Sequence, residues 1–420
     1  MRQSQLFTKT EREDPKDEVS KNAKLLIRGG YIYKEMAGVY AYLPLGLRVL
    51  NKVTQIIREE MNAIGGQELT LTALQDKSLW EKTDRWDDDK VDVWFKTALT
   101  SGSELGLGFT HDEPLTNLVK SYVSSYRDLP FSAYQFQTKF RNETRAKSGI
   151  MRCREFIMKD LYSFSKDQEE HDAFYEKAKQ AYINIFDRVG LGHLTYVTFA
   201  SGGSFSKYSH EFQTLTDAGE DTIYVHEEKK IAINQEVYTD EVLANLGVTK
   251  DELVPKTAVE VGNIFTLGTK FSDALDLKYK AENGDDTPVF MGSYGIGPGR
   301  VMGTIVEVLS DDKGIVWPES VAPFAIHVLA LGDNEAVKTQ AEKLYSDLVL
   351  AGIEVLFDDR VETSNGAKFA DADLLGMPTR IVVSERSLAA GGVEVKKRTE
   401  PESRIMSISE CIDFFTSTDK

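Results

Sequence analysis

Apolar residues recur every three or four positions between Leu45 and Met61, which predicts an amphipathic helix. The following segment ELTLTAL, residues 68–74, alternates apolar and polar residues as a strand does. Next come VDVWFKTAL and GLGFT, which flank a Ser-Gly turn, and then QFQTKFR with a second strand pattern from Cys153 to Phe164. Two successive hairpins predict an antiparallel sheet instead of a βαβ series.

A glycine-rich turn interrupts the apolar pattern of residues 289–309, VFMGSYGIGPGRVMGTIVEVL. The pattern predicts a strand, the turn, and a helix that begins at about Arg300. The segment WPESVAP, residues 317–323, has two prolines and no periodicity, so we expect it to be a linker.

The pattern changes after this linker. The apolar segments AIHVLAL, IEVLF and RIVVS alternate with a helical pattern at residues 335–351, as in a small α/β domain. Earlier in the chain, a mostly polar span at about 227–256 with one helical pattern, TDEVLANL, predicts a short insertion. We therefore expect an α+β domain over residues 1–322 and an α/β domain over residues 323–420.

Composition narrows the class of protein. The chain has 420 residues, of which 41% are hydrophobic and 28% charged, as is ordinary for a globular protein. Its longest apolar runs fall short of the roughly 20 residues that span a bilayer, and its N-terminus has no apolar signal core, so we expect a cytoplasmic protein with no membrane partner. The two cysteines, Cys153 and Cys411, predict neither a disulfide framework nor a structural metal site.

One basic stretch stands out in a chain of net charge -17. The segment FRNETRAKSGIMRCREF, residues 140–156, holds five cations and two acids. Like charges held this close repel one another, so binding of a polyanionic partner is one explanation for the five cations in this stretch. Arg141 could hold a phosphate, Glu143 could accept the adenine amino group, and Phe156 could stack on a base. The alternative is a solvated hairpin with local ion pairs.

Three other segments allow more than one interpretation. The turn GSYGIGPGR lacks both the dinucleotide fingerprint and the Lys-Ser/Thr of a P-loop, so Arg300 either faces an anion at a helix N-terminus or follows a structural turn. In THDEP, Thr110 and Glu113 have capping-box spacing, whereas Asp112 could contact a substrate amine. His210 in SHEFQ is a candidate for lining a pocket or a structural histidine. Residues 358–376, of mixed charge, predict a solvated loop before a helix.

Together these segments resemble a class II aminoacyl-tRNA synthetase, specifically the prolyl-tRNA synthetase family of bacterial type. The stretch from GVYAYLPLGL to GGQEL is similar to motif 1, FRNE with RCREF to motif 2, GIGPGR to motif 3, and THDE to the proline-binding loop. MKDLYSF, SHEFQ, GNIFTLGTKFS, GIVWP and FDDR match in the same order, so the resemblance covers nearly the whole chain. It implies a catalytic domain with an antiparallel sheet and flanking helices, and a C-terminal α/β anticodon-binding domain.

The resemblance also implies roles for particular residues. Arg141 and Arg300 are the expected catalytic residues. The expected ATP-binding residues are Arg141, Glu143, Arg152, Phe156, Gln213 and Arg300. The expected proline-binding residues are Thr110, Asp112, Arg141, His210 and Ser293. The expected tRNA-binding residues are Arg145 and Lys147 for the acceptor stem, and Arg360, Glu362 and Lys368 for the anticodon.

The implied reaction is ATP-dependent activation of L-proline to prolyl-adenylate, with Mg²⁺, and transfer to tRNA(Pro) by a homodimer. Three substitutions depart from the family: Asp112 replaces Glu, Thr72 replaces Pro, and Ser293 replaces Cys. The large editing insertion is also missing, so we expect any editing of alanine to rely on a separate deacylase. A synthetase for another amino acid and a non-catalytic tRNA-binding relative are the alternatives.

Overall fold

The computed structural model describes residues 1–203 and 208–417. These residues form two compact units. One contains residues 35–40 and 53–304, and the other contains residues 1–34, 41–52 and the described residues after 304. Within the described ranges, no helix is both long and apolar enough to cross a membrane.

The helices are α1 Lys21–Arg28, α2 Pro44–Ala63, α3 Lys77–Glu81, α4 Asp112–Val119, α5 Gln168–Arg188, α6 Asp240–Leu246, α7 Lys270–Leu275, α8 Pro298–Leu309, α9 Glu335–Leu350, α10 Asn365–Leu375, α11 Glu385–Ala389 and α12 Ile408–Ser417. The strands are β1 Ile32–Met36, β2 Val39–Tyr42, β3 Gly66–Glu68, β4 Leu74–Asp76, β5 Phe95–Ala98, β6 Glu104–Leu107, β7 Phe131–Phe140, β8 Glu155–Ser165, β9 Thr195–Ser201, β10 Tyr208–Leu215, β11 Asp221–His226, β12 Ile231–Asn234, β13 Val254–Gly268, β14 Lys278–Lys280, β15 Asp286–Pro288, β16 Phe290–Ile296, β17 Ile326–Leu331, β18 Val355–Asp358, β19 Thr379–Ser384, β20 Val393–Lys397 and β21 Arg404–Met406.

A nine-stranded sheet organises the larger unit, in the order β10-β9-β12-β11-β13-β16-β8-β7-β3. Most neighbouring strands are antiparallel, and β7 and β8 pair along their lengths from Phe131 opposite Phe164 to Phe140 opposite Glu155. Helix α5 buries Tyr182, Phe186 and other apolar side chains against one face of the sheet. The predicted antiparallel sheet and its β7–β8 hairpin are confirmed.

Cross-strand register assigns side chains to the two faces of this sheet, because partners in adjacent strands point to the same side. Asp160 pairs with Gly295, Gly295 with Asn263, and Asn263 with Glu211, so these four residues share one face. The other face carries Leu161, Tyr294 and Ile264 and contacts α5. The first face is therefore the one left open for a ligand.

The predicted strand over residues 68–74 is wrong. Strand β3 ends at Glu68 and β4 begins at Leu74. Between them, the amide of Leu71 donates to the side-chain oxygen of Gln135 at 2.9 Å, and the side-chain amide of Gln137 donates to the Leu71 carbonyl. Side-chain amides thus replace the backbone ladder that alternation alone predicts.

The polar span at 227–256 is more integrated than an appended insertion. It contains the predicted helix, as α6, and also strand β12, which lies between β9 and β11 in the large sheet. Val242 and Leu243 of α6 pack with Ile233 of β12 in a small apolar core.

The second unit contains a five-stranded sheet in the order β18-β17-β19-β20-β21. Strands β17, β18 and β19 are parallel, as the continuous apolar segments predicted. Helix α9 buries Val337, Ala341, Leu344 and Leu348 completely.

N-terminal residues belong to this same unit. The amide of Phe357 donates to the Met1 carbonyl at 2.9 Å, and Arg2 forms two 2.6 Å hydrogen bonds with Glu342. The compact units are therefore not separated simply at residue 322, and the functional boundary between residues 322 and 323 stays a prediction.

Candidate active site

A pocket lies on the open face of the nine-stranded sheet. Its lining includes Phe156 and Met158 from β8, Asn263 from β13, and Arg300 from the first turn of α8. An adjoining cavity of about 250 Å³ shares Arg141, Glu143, Arg152 and Arg300. Five of the six residues predicted to bind ATP thus meet in one place.

Arg141 directly follows β7 and is a half-buried cation. Its Nε donates to the carbonyl of Phe109 at 3.3 Å, and its guanidinium carbon lies 5.3 Å from the centre of the Phe156 ring. Burial, reinforced by the positive charge of Arg300, lowers the pKa of Arg141. No carboxylate among the described residues forms an ion pair with Arg141, so its charge is available to an anion.

Arg300 is fixed by three contacts. Its Nε donates to the Met151 carbonyl at 2.8 Å, and its Nη1 donates to the carbonyl of Glu260 at 2.8 Å and lies 3.2 Å from that residue's carboxylate. The predicted strand, turn and helix are present, with the helix beginning at Pro298. A proline fits the first helical turn because its missing N–H has no intrahelical acceptor there.

The basic loop is the part of the stretch 140–156 that connects β7 and β8. An acid from outside this loop neutralises part of its positive charge. Arg152 donates to Glu143 at 2.7 Å and to Glu220 at 2.8 Å, and Lys147 lies 3.2 Å from Glu220. Arg145 and Lys147 are exposed. Sequence reasoning missed Glu220, because nothing in the chain relates it to a loop about 70 residues earlier.

Three acids lie beside the two arginines. Gln213, buried in β10, donates through its amide to Glu211 and to Asp221, each at 2.8 Å. Burial, followed by the charge of Glu260, raises the pKa of Glu211 to about 7, and burial also raises the pKa of Asp221. The side-chain amide of Gln213 is therefore hydrogen-bonded to two carboxylates. The sequence offered no signal for this cluster, because it comes from three separate strands.

The Thr110–Asp112 loop is tied to a mostly buried arginine, Arg85. Thr110 Oγ1 donates to Asp112 Oδ2 at 2.8 Å, and Arg85 Nη1 lies 3.3 Å from the same oxygen. Arg85 also donates to Glu113 at 2.9 Å. Sequence reasoning missed Arg85.

The capping box expected from Thr110 and Glu113 is wrong. The residue that caps α4 is His111, whose side chain makes no capping hydrogen bond. The Glu113 carboxylate instead accepts hydrogen bonds from Thr83, at 2.9 Å, and from Arg85. Burial raises the pKa of Glu113 to about 7.

A buried polar network lies on the open face near this loop. Lys139 donates to Asp160 at 2.8 Å and contacts His111 Nδ1, and Asp160 accepts from Tyr162 at 3.2 Å. Burial lowers the pKa of Lys139, and burial with the adjacent Lys139 charge lowers the pKa of His111 to about 4. Ser293 pairs across the strands with Tyr162, so it lies on this face as expected of a pocket residue.

The predicted role of His210 in the proline pocket is wrong. His210 pairs with Ile264, so its side chain points to the face covered by α5, opposite Glu211 and Asn263. There its Nδ1 lies 2.8 Å from the Tyr175 hydroxyl. Burial lowers the pKa of His210 to about 4, so the ring is neutral and structural.

The residues expected to read the anticodon differ in accessibility. Arg360 is paired with Asp358 and Asp371 at 2.7 and 2.8 Å. Glu362 is exposed, whereas Lys368 is buried and donates to the Ala330 carbonyl at 2.7 Å. Lys368 is thus unavailable to a base, contrary to expectation. The solvated loop predicted within 358–376 is present only up to Ser364, because α10 begins at Asn365.

Family models match both parts of the chain. The "tRNA synthetase class II core domain (G, H, P, S and T)" matches residues 95–309, and the "Anticodon binding domain" matches residues 325–418. Together with the antiparallel sheet and its arginine-lined pocket, these matches define a class II tRNA synthetase. The chain is 38% identical to a proline–tRNA ligase of Agrobacterium fabrum, over 98% of this chain and 99% of the relative. It is also 37% identical to a proline–tRNA ligase of Caulobacter vibrioides, over 100% of this chain and 99% of that relative. The chain belongs to the proline–tRNA ligase family.

Solved structures agree at the level of fold. A Cryptosporidium parvum prolyl-tRNA synthetase complexed with L-proline and AMP superposes with a TM-score of 0.77 at 16% identity, covering 98% of this chain and 80% of that one. A Giardia lamblia prolyl-tRNA synthetase in complex with prolyl-adenylate gives a TM-score of 0.74 at 17% identity, covering 94% and 78%.

Proposed function

We propose that the chain activates L-proline with ATP to form prolyl-adenylate and then transfers the prolyl group to the 3′ end of tRNA(Pro). The observation that carries this proposal is the meeting of Arg141, Glu143, Phe156 and Arg300 in one pocket of a family member. The similarity to named proline–tRNA ligases, 37 to 38% identity over nearly the whole chain, supports proline over another amino acid as the substrate. The intact arginine pair argues against a non-catalytic tRNA binder.

In this proposal ATP lies along the open face of the sheet. Arg141 contacts the α-phosphate, because this cation lines the pocket and no carboxylate among the described residues forms an ion pair with it. Arg300 contacts the γ-phosphate. Phe156 stacks on the adenine, and Glu143, oriented by Arg152, accepts the adenine amino group.

Proline lies beside the Thr110–Asp112 loop. The Asp112 carboxylate, oriented by Thr110 and Arg85, receives the positively charged imino group. Ser293 borders the ring. Asp112 is one methylene shorter than the family's Glu, so its reach sets the affinity for proline.

The chemistry needs no covalent protein nucleophile. A carboxylate oxygen of proline bonds to the α-phosphorus while the bond from that phosphorus to pyrophosphate breaks. The terminal ribose hydroxyl of tRNA then attacks the acyl carbon, losing its proton as AMP departs. Arg141 and Arg300 stabilise the charge that develops on the phosphoryl oxygens, and the pocket positions the reactants in line.

Mg²⁺ fits the acids next to these arginines. No group of three or more acidic, histidine or cysteine side chains in the described ranges is arranged to hold a metal. Mg²⁺ nonetheless binds proteins through one or two carboxylates plus substrate phosphates. Glu211 and Glu260, whose mutual repulsion helps raise the pKa of Glu211, would hold it. The ion would supply Lewis-acid stabilisation of phosphoryl charge.

The remaining partners are also part of the proposal. Exposed Arg145 and Lys147 contact the acceptor stem, and Arg360 and Glu362 contact anticodon bases. The enzyme acts as a cytoplasmic homodimer. It relies on a separate deacylase to remove mischarged alanine, because a missing methylene discriminates by only about 1 to 3 kcal/mol. Rapid hydrolysis of Ala-tRNA by the purified protein alone would contradict this reliance on a separate deacylase.

The test is amino-acid-dependent ATP–pyrophosphate exchange with proline, alanine, cysteine, serine, threonine and glycine side by side. We expect the fastest exchange with proline, and loss of exchange in Arg141→Ala with retained folding. Exchange with another amino acid alone would indicate altered specificity. Silence with all six, together with intact tRNA binding, would favour a non-catalytic relative.

A further inference from the structure

A basic cavity of about 350 Å³ lies in the C-terminal unit and is built entirely from residues after 310. Five cationic and three acidic side chains line it, an excess of two positive charges in a chain of net charge -17. Folding alone gives little reason to gather these cations.

The cavity lining does not include Arg360, Glu362 or Lys368, the residues expected to read the anticodon. His327 and Arg380 are the second residues of the parallel strands β17 and β19, so they lie at the amino ends of these strands. Arg360 follows the carboxyl end of β18, which is parallel to β17. The two sets of residues therefore lie toward opposite ends of these parallel strands.

Three buried polar atoms from the cavity lining have no hydrogen-bond partner among the described residues. They are Nδ1 of His327, Nε of Arg380 and Nε of Arg398. The histidine is 1% exposed, and its Nε2 is already engaged by Gln3 at 2.9 Å. Leaving a buried donor unsatisfied costs about 1 to 3 kcal/mol, so the two arginine Nε–H groups beside one cavity indicate an acceptor as their partner.

Both arginines are already oriented by acids through their outer nitrogens. Arg398 donates to the two oxygens of Asp311 at 2.6 and 2.7 Å, which holds the pKa of Asp311 down to about 2. Arg380 donates to Asp373 at 2.8 Å and lies 4.8 Å from the Phe369 ring centre. The guanidinium groups are thus pre-positioned, with their inner Nε–H donors unused.

We propose that this cavity is a binding site for a phosphate group. Arg380 and Arg398 donate through Nε–H, and the ammonium groups of Lys313 and Lys396 at the rim supply the remaining charge. The same chemistry would accept a phosphate of the tRNA backbone or a free phosphorylated small molecule. The site is independent of the proposed aminoacylation chemistry, which uses residues of the other unit.

Inorganic phosphate is the probe, added to the full-length protein while AMPPNP and proline occupy the ATP pocket. The reporter is the His327 ring signal in a nitrogen-15 histidine spectrum, assigned with His327→Gln among the six histidines of the chain. We expect a saturable shift with a Kd of about 1 mM. The double variant Lys313→Met/Lys396→Met should weaken the binding about tenfold.

Lys338→Met, on helix α9, is the matched control and should bind phosphate as the wild type does. The absence of a His327 shift, or an unchanged Kd in the double variant, would overturn the proposal. Phosphorus-31 line broadening provides a second measurement that does not depend on the histidine. Displacement of phosphate by tRNA would assign the site to nucleic acid, and persistence of binding would assign it to a free anion; both results retain the site.

Discussion

Replacing Arg85 with Met tests whether the Asp112 carboxylate depends on the Arg85 cation beside it. Arg85 Nη1 lies 2.9 Å from Glu113 and 3.3 Å from Asp112, and the three side chains are 16%, 0% and 6% exposed. The substitution keeps an apolar stem but leaves two buried carboxylates without their shared cation. Such a loss costs about 3 to 5 kcal/mol. For a unit of this size, the corresponding fall in Tm is roughly 6 to 20 °C.

The loss should also depend on pH. Burial raises the pKa of Glu113 to about 7, while the charge of Arg85 opposes that rise. A carboxyl whose pKa is raised on folding contributes stability that is fully present below its unfolded pKa and is lost as pH rises through its folded pKa. Removing Arg85 moves the folded pKa higher still. The variant should therefore lose more stability than the wild type between about pH 6 and about pH 8.

Thermal unfolding followed by tryptophan fluorescence is a suitable assay, because Trp80 packs 5.4 Å from the Arg85 guanidinium. Arg58→Met is the matched control: Arg58 forms two hydrogen bonds with Glu68, but both side chains are about one-third exposed, so its loss should cost about 0 to 1 kcal/mol. We also expect a higher KM for proline in Arg85→Met, since Asp112 loses one of its two anchors. A destabilisation no larger than that of Arg58→Met would refute the reasoning.

Three further predictions concern the pocket. Gly38→Ala places a Cβ 2.5 Å from the Cβ of Ala146 at a backbone φ of +78°, so the substitution should displace the basic loop and lower kcat/KM for tRNA about tenfold. The control is Gly102→Ala, which has a φ of +92° but no atom within 4 Å of the new Cβ and should keep full activity. Glu211→Gln removes a carboxyl whose pKa is raised to about 7, so the Tm of the variant should rise at about pH 8 and change little at about pH 5. Its ATP–pyrophosphate exchange activity should fall. Equal Tm changes at the two pH values would contradict this reasoning. Phe156→Ala should raise the KM for ATP about tenfold in the exchange assay, and a change in the KM for proline alone would argue against stacking.

Local patterns in the sequence were enough to predict several elements. The helix from Leu45 to Met61, the β7–β8 hairpin, and the strand, turn and helix at 289–309 all depend on periodicity and turn residues within a short window. The parallel strands after the linker were predictable for the same reason, since strands buried on both faces are continuously apolar. The basic loop could be recognised because its unusual charge is contiguous in the chain.

Tertiary structure alone decided which side chains meet. His210 and Glu211 are adjacent in sequence, yet register places them on opposite faces of the sheet, one against α5 and the other beside the arginines. Glu220 joins the basic loop, and Arg85 joins Asp112, from distant segments. Lys368 looks like a surface residue in the sequence but is buried. Pairing register and burial arise from non-local packing, so no short window of sequence contains them.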